Sequence, residues 1–447
     1  MTDLPATDLD ASPYQGYLYA YPHKTAYRPL TPAPALREVW AGEDVASLFL
    51  YAHIPFCEMR CGFCNLFTRS RPPAEQVTAY LDALGRQASQ VRDELAATGR
   101  EPRFATAAIG GGTPTYLDAG ELDRLFDVLT RFAPELPRLP IGVETSPATA
   151  TADRLGVLAD RGVHRVSMGI QSFLDAEARA AGRPQRRTEV DAALDLLGEG
   201  RFGVVNLDLI YGIDGQTPRT WRYSLGETIA RAPEEIYLYP LYVRPLTGLR
   251  RRLDAAGHVD PEWGRHRLEL YRIAVDELTA AGYRRLSMRQ FRRADVVEPE
   301  GDYCCQEDGM VGLGCGARSY TSSLHYSFDY AVGVGAVREI LEEYVDTADF
   351  RRAVHGTVLD SSEQRRRWCI KTLLRVDGIP RGDYRARFGT DVLDDLDSLT
   401  ELVERGWAEV DDAAVRLTAA GLERSDVIGP WLVSDAVRAR MDAAVAR

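Results

Sequence analysis

Three cysteines fall within eight residues, Cys57, Cys61 and Cys64, in the segment YAHIPFCEMRCGFCNLF. They follow a β-rich run, LFLYAHI (48–54), so the thiols are expected on a loop that leaves a strand. A structural zinc site normally pairs two short hooks to gather four ligands in a closed tetrahedron. Here one compact loop offers three thiolates, with no fourth Cys or His at the spacing a zinc finger uses. His53 precedes Cys57 by four residues, on the strand, and is expected to orient backbone. Three thiolates from one loop suit a cubane iron–sulfur cluster with one iron left without a protein ligand. An open coordination position at a metal centre marks catalysis.

Such a loop needs a scaffold, and the surrounding sequence alternates regularly. Short β-rich runs occur at LFLYAHI (48–54), TAAIGG (106–111), PIGVETS (140–146), RVSMGIQ (165–171), VVNLDLIY (204–211) and EIYLYPLY (235–242). Amphipathic stretches such as EQVTAYLDALGRQASQVRDEL, GELDRLFDVLTRF and TADRLGVLADRG separate them. In the last, Leu155, Leu158 and Ala159 fall at helical spacing. Six strand–helix repeats predict parallel βα units, each separation being long enough for a crossover helix. A seventh unit is expected from EWGRHRLELYRIAVDELTAAG and RRLSMRQF, before a glycine-rich loop, GMVGLGCGARSY (309–320). The predicted fold is α/β: a partial (β/α)6 barrel with extra βα elements. Its unusual residues gather at the C-terminal strand ends, where parallel barrels assemble their sites.

Four segments are expected: a Tyr/Pro-rich strap over 1–47, the barrel core over 48–320, a connecting segment over 321–360, and a C-terminal module over 361–447. The module reads as helix, helix (DVLDDLDSLTELVERGW) and small hairpin, a winged-helix-like pattern. Its 14 Lys+Arg against 16 Asp+Glu, net −2, argue against a DNA-reading wing. The leader carries Tyr14, Tyr17, Tyr19, Tyr21 and Tyr27, too aromatic for a disordered tail. It is expected to cover the open mouth of the barrel, with His23 and Lys24 facing a polar substrate.

In their order and spacing, YAHIPFC, GGGTPTYL, VETSP, RVSMGIQSF, GRPQ and VNLDLIYGIDGQTP resemble consecutive motifs of the oxygen-independent coproporphyrinogen III oxidase family. That family is a branch of the radical S-adenosylmethionine (SAM) superfamily, and the resemblance runs over residues 48–320. It implies a four-iron four-sulfur cluster on Cys57, Cys61 and Cys64, whose open iron binds the amino and carboxylate groups of SAM. Reduced by an external donor such as flavodoxin or ferredoxin, that cluster would cleave SAM to a 5′-deoxyadenosyl radical, which takes hydrogen from a small organic substrate.

The same resemblance, added to residue chemistry, nominates further positions. Gly110, Gly111 and Gly112 let backbone approach closely, and by resemblance this loop, with Gly111 and Gly112, takes the SAM amino group, with Thr113 beside it. Glu144, costly to bury at the end of an apolar strand, is implied near the SAM methionyl or ribose moiety. Gln171 offers a donor and an acceptor, Arg183 a planar fork for a carboxylate, and Asp208 a carboxylate suited to a ribose diol. Tyr51 is implied over the SAM beside the cluster, and Tyr51, Glu144 and Gln171 form the expected catalytic set. Members of this family can hold a second SAM. Tyr239, Tyr242 and the stretch 314–317 are the corresponding positions here.

Two departures bear on the reaction. Cys64 is followed by Asn65 and Leu66, where coproporphyrinogen oxidases carry an extra cysteine two positions on, and the leader is different. The reading therefore leans to a non-porphyrin tailoring reaction, methyl or carbon transfer or cyclopropanation. Oxidative decarboxylation of coproporphyrinogen III is the alternative, with Arg244, Arg250, Arg251 and Arg252 as candidate partners for carboxylates. A haem-binding chaperone is the non-enzyme rival, but the segment LHYSFDYAV lacks the His-Asn and Tyr-Trp signature expected of it. Cys304, Cys305 and Cys315, near the glycine-rich loop, are expected to pack rather than ligate a second cluster.

Composition excludes several classes. The chain has 447 residues, 45% hydrophobic and 27% charged, enough for a sizeable core. A net charge of −12 argues against a general nucleic-acid binder. No apolar run approaches the roughly 18 residues of a membrane span, and the acidic start lacks signal-peptide character, so a cytoplasmic protein without membrane partners is expected. Lys24 and Lys371 are the only lysines among 54 basic residues, which reads as compositional bias.

Overall fold

The computed structural model describes residues 8–10, 12–251, 261–297 and 304–444. All six predicted barrel strands are present and parallel. They are β2 (Leu48–Ile54), β5 (Phe104–Gly111), β6 (Ile141–Thr145), β7 (Val163–Gln171), β8 (Val204–Tyr211) and β9 (Glu235–Pro240), adjacent in that order. Helices Ala74–Ala96, Ala119–Phe132, Ala152–Asp160, Arg187–Leu197 and Pro218–Ala230 connect them. Each turns an apolar stripe onto the outside of the sheet: Leu122, Leu125, Phe126 and Leu129 on one, Leu155 and Leu158 on another.

The seventh unit differs from expectation. RRLSMRQF forms an antiparallel hairpin, β10 (Tyr283–Arg285) and β11 (Gln290–Arg293), with β11 antiparallel to β9. The four residues between them are too few for a crossover, so parallel pairing was never available. The seventh parallel strand is β12 (Met310–Leu313), from the glycine-rich segment. It adds to the opposite edge, beside β2. Strands β13 (Arg318–Tyr320), β14 (Leu324–Ser327), β15 (His355–Val358) and β1 (Arg28–Pro29) extend that edge antiparallel, giving 13 strands in one sheet among the described residues. A short ladder, β3 (Phe56–Cys57) with β4 (Arg69–Ser70), closes the base of the cysteine loop.

The C-terminal residues pack as helices with a three-stranded sheet of β16 (Ile379–Pro380), β17 (Ala408–Val410) and β18 (Ala414–Leu417), in the order β16-β18-β17. The stretch expected as one helix, DVLDDLDSLTELVERGW, splits into Val392–Asp395 and Leu399–Glu404. Asp391 caps the first piece, and Leu396 leaves helical geometry between the two. The leader crosses both bodies. Tyr14 and Leu36 belong to the core of the large sheet, whereas Leu9, Leu18, Tyr21 and Ala26 belong to the core of the C-terminal module.

Candidate active site

Strand alternation decides which side chains enter the barrel. On β2, Leu48, Leu50 and Ala52 are buried among the helices, so Tyr51 and His53 point inward. Register then sets a row across the sheet: Glu144 of β6 stands beside Ser167 of β7, and Asp208 of β8 lies between Gly169 and Tyr237. Tyr51, Asp208, Tyr237 and Tyr239 are deeply enclosed yet keep accessible surface. Glu144 keeps more than a third of its own. What they face is an internal cavity.

The cysteine loop lies at the C-terminal mouth of this cavity. Cys57 is buried, and Cys61 and Cys64 are half-buried. Each thiol has one polar neighbour at long hydrogen-bond distance: Thr113 Oγ1 at 3.7 Å from Cys57 Sγ, Arg183 Nη1 at 3.7 Å from Cys61 Sγ, and Thr68 Oγ1 at 3.9 Å from Cys64 Sγ. Burial pushes the Cys57 thiol up to about 12 and raises that of Cys61, so any metal must displace protons on binding. Among the described residues, no three His, Cys, Asp or Glu side chains converge as one metal ion needs. A cluster held at separate corners by three thiolates requires no such convergence.

The glycine motif serves this loop. A Cβ on Gly112 would stand 2.5 Å from the Phe56 carbonyl oxygen and 2.8 Å from Cys57 Sγ. One on Gly111, at φ +116°, would enter the His53 ring at 2.6 Å. The backbone therefore closes against the cluster loop, with Thr113 N–H donating to the Phe56 carbonyl at 2.8 Å. His53 holds the far side of the loop through Nε2 and the Phe67 carbonyl, 3.0 Å apart, and Tyr51 OH lies 3.3 Å from its Nδ1. Burial lowers His53 to about 4, so it is neutral, and its ring holds the Phe67 backbone carbonyl.

Glu144 accepts the Gly111 N–H at 3.1 Å, and Asp208 accepts from Asn206 Nδ2 at 2.8 Å. Burial raises Glu144 to about 7 and Asp208 to about 6, each carboxylate standing in a cavity wall with little solvent. Gln171 is buried at φ +68°, where β7 is irregular, and its amide folds back over Gly169 beside Arg183. A non-glycine residue held there stores strain, a feature that clusters at functional sites.

The positions nominated for a second SAM separate. Tyr239 faces the cavity, 6.4 Å from the ring of Tyr17 in the strap. Tyr242 hydrogen-bonds Asp426 of the C-terminal module and lies under Arg244, 4.4 Å from its ring centroid. Gly314 and Gly316 close on the His53 carbonyl and ring. Of the arginine run, Arg244 turns to the strap, Arg250 and Arg251 are exposed, and Arg252 lies outside the described residues. Cys315 sits under Tyr80, Cys369 lies in the module core, and Cys304 and Cys305 neighbour Lys371.

Sequence reasoning missed Thr68, Asn206, Arg165 and Arg318 as cavity residues. It turned Lys24 towards a polar substrate, with His23, and read Lys371 as compositional bias alone. Lys24 Nζ hydrogen-bonds Tyr330 and lies 3.5 Å from that ring's centroid, and Lys371 Nζ donates to the Tyr19 carbonyl at 2.8 Å. Both lysines clasp the strap.

A parallel βα sheet with a three-cysteine loop at its C-terminal mouth defines a class, and the chain matches the Radical SAM superfamily over residues 51–225. The match assigns those residues to a radical SAM domain, a type of domain that uses a four-iron four-sulfur cluster and SAM. The chain is 28% identical over 390 residues to "Heme chaperone HemW" of Bacillus subtilis (strain 168), covering 86% of this chain and 98% of the relative. It is also 28% identical over 446 residues to "Oxygen-independent coproporphyrinogen III oxidase" of Escherichia coli (strain K12), covering 93% of each. The solved coproporphyrinogen III oxidase (HemN) from Escherichia coli has the same fold: TM-score 0.76 at 24% identity, covering 93% of this chain and 96% of that one. The chain thus joins a radical SAM domain to likeness, over most of its length, to proteins named as coproporphyrinogen III oxidases and as haem chaperones. None of them lends support to methyl or carbon transfer. Among the described residues, no helix is long and apolar enough to cross a membrane.

Proposed function

We propose that the protein carries out SAM-dependent hydrogen-atom abstraction leading to net oxidation of a small organic substrate, the type of reaction named for its coproporphyrinogen oxidase relatives. The carrying observation is one cavity with the three-thiol loop at its mouth and Tyr51, Glu144, Gln171 and Asp208 on its walls. The donor set fits: three enclosed thiols from one loop, with Arg183 beside Cys61 to offset thiolate charge. When bound, cluster and SAM together supply one-electron cleavage and a strong hydrogen-atom acceptor.

The chain's own residues bind and orient. Cys57, Cys61 and Cys64 hold the cluster, while the backbone of Gly111, Gly112 and Thr113 receives the SAM amino end. Glu144, near neutrality in the ligand-free protein, gains a partner for its charge when a cationic amine arrives. Gln171 and Asp208 supply hydrogen bonds suited to a ribose diol, and Tyr51 covers the cofactor from β2. The strap excludes water from the space where hydrogen is transferred.

The test is anaerobic reconstitution followed by incubation with SAM and dithionite. About four irons per chain are expected, with 5′-deoxyadenosine and methionine as products. Changing Cys57, Cys61 or Cys64 to Ala should abolish both iron and cleavage. S-adenosylhomocysteine formed in step with turnover would replace oxidation by transfer. Stoichiometric haem binding without SAM cleavage would favour the role that the HemW relatives' name describes.

A further inference from the structure

Beneath the row that carries Glu144 and Asp208, a second polar row crosses the barrel. On β7 the alternation that turns Ser167 inward turns Arg165 inward too, and register sets Asn206 of β8 between Ser167 and Glu235 of β9. Arg165 donates Nε and Nη2 to Glu235 Oε2 at 2.9 and 2.7 Å, and Nη1 to Ser167 Oγ. Arg292, on β11, donates Nε and Nη2 to the other oxygen, Glu235 Oε1, at 3.0 and 2.8 Å. The Glu235 side chain is 4% exposed, whereas that of Arg165 keeps 32% although it is deeply enclosed. That surface belongs to the cavity, so Arg165 forms part of its floor.

The charges in this row do not cancel. Burial opposes ionisation of Glu235, but the guanidiniums of Arg165 and Arg292 hold it below its ordinary value. One carboxylate therefore serves two cations, and the triad keeps one positive charge in excess. Directly above stands Asp208, which accepts from Asn206 Nδ2 at 2.8 Å, while Asn206 Oδ1 is buried without a hydrogen-bond partner. Tyr237 lies beside Asp208 in register, its ring centroid 5.8 Å from the Arg165 guanidinium. Arg165 below and Arg183 after β7 favour charge on Asp208, whereas Glu235 and Glu144 oppose it, and Tyr237 and Tyr239 stand against it from β9. Burial raises Asp208 only to about 6, so it is a carboxylate at neutral pH.

We propose that Arg165 is a positioning residue of the cofactor site: bonded to Ser167 and Glu235 at the cavity floor, with Arg292 supplying the second cation, it keeps Asp208 ionised and ready to accept hydrogen bonds from a ribose diol. The inference rests on the reading of Asp208 as a SAM ligand, and Arg165 acts through that carboxylate. It also gives the β10–β11 hairpin a part in the site. Without Arg292, Arg165 and Glu235 would form a neutral pair whose field at Asp208 largely cancels.

Two neutralising variants separate charge from packing, because Arg165→Met and Arg292→Met each leave Glu235 with one partner. In the ligand-free protein, the infrared carboxyl band that disappears in Asp208→Asn reports protonation of Asp208 directly. Its titration should rise by about one pH unit in both Met variants, the effect of losing a nearby opposite charge, and stay in place in Arg165→Lys. Equilibrium dialysis of labelled SAM onto reconstituted protein, without reductant, gives the second readout. Binding should be about tenfold weaker than wild type at pH 6 in both Met variants, the equivalent of that one pH unit, and should match wild type at pH 8.5. If one Met variant does not fold, the other still decides. An unmoved infrared titration would overturn the proposal. So would an affinity loss in Arg165→Met that is equal at pH 6 and pH 8.5, which is what a packing role alone would give. Failure of the radical SAM reading is separate, since wild-type protein would then bind no SAM at any pH.

Discussion

The inward row of the barrel carries two carboxyls whose ionisation is held back by their surroundings. Burial raises Glu144 to about 7 and Asp208 to about 6, each also feeling the charge of the other side of the cavity. In the ligand-free protein both keep protons that the unfolded chain releases between pH 4 and 7. Their contribution to stability is therefore fully present below pH 4 and is lost as pH rises towards 7. Thermal unfolding of wild type and Glu144→Gln at pH 5.0 and 7.5 checks the sign, since the variant should lose less stability over that interval. A steeper fall in the variant would contradict it. The cysteines, Glu144 and Asp208 were legible because a charged or reactive residue in an apolar strand end is anomalous locally. Lys24 was legible only as a polar residue of the strap and Arg318 not at all, because their contacts span about 300 positions, Lys24 to Tyr330 and Arg318 to Tyr19.

At the scale of elements, six strands follow directly from β-rich runs of five to nine residues set between helical patterns. The seventh does not, because RRLSMRQF and MVGL are both short and neither reveals its partner. Their swap of edges has a mechanical consequence. The hairpin of β10 and β11 carries Arg289 to the C-terminal module, where it pairs with Asp426. The two side chains are 6% and 2% exposed, and Tyr242 also donates to Asp426. Arg289 lies 3.8 Å from the ring centroid of Tyr17, so the same pair seats the strap. Removing one member strands a buried charge. Asp426→Ala should cost about 3–5 kcal/mol in denaturant unfolding, whereas replacing Asp10, the exposed partner of Arg405, should leave the unfolding midpoint nearly unchanged. Equal losses would mean that the buried pair is not what joins hairpin to module.

Across the whole molecule the strap does two jobs that one deletion would confound. Removing residues 1–30 takes Leu9, Leu18, Tyr21 and Ala26 from the module core and Tyr14 from the barrel core, so loss of activity would follow from loss of packing alone. Tyr17 separates the jobs. It is 38% exposed, belongs to neither core, and turns its ring to Tyr239 and Arg289 at the cavity wall. Tyr17→Ala forfeits one cation–π contact, about 1 kcal/mol, and leaves both cores intact. If the strap shields the radical chemistry, this variant should keep its iron and its SAM affinity while releasing more 5′-deoxyadenosine per substrate converted than wild type, because an opened cover lets solvent and stray hydrogen donors compete. An unchanged ratio of nucleoside to product, with only a lowered melting temperature, would make the strap a structural brace between barrel and module. The aromatic density of the leader pointed to a folded role, but its division between two cores could be seen only once both cores were formed.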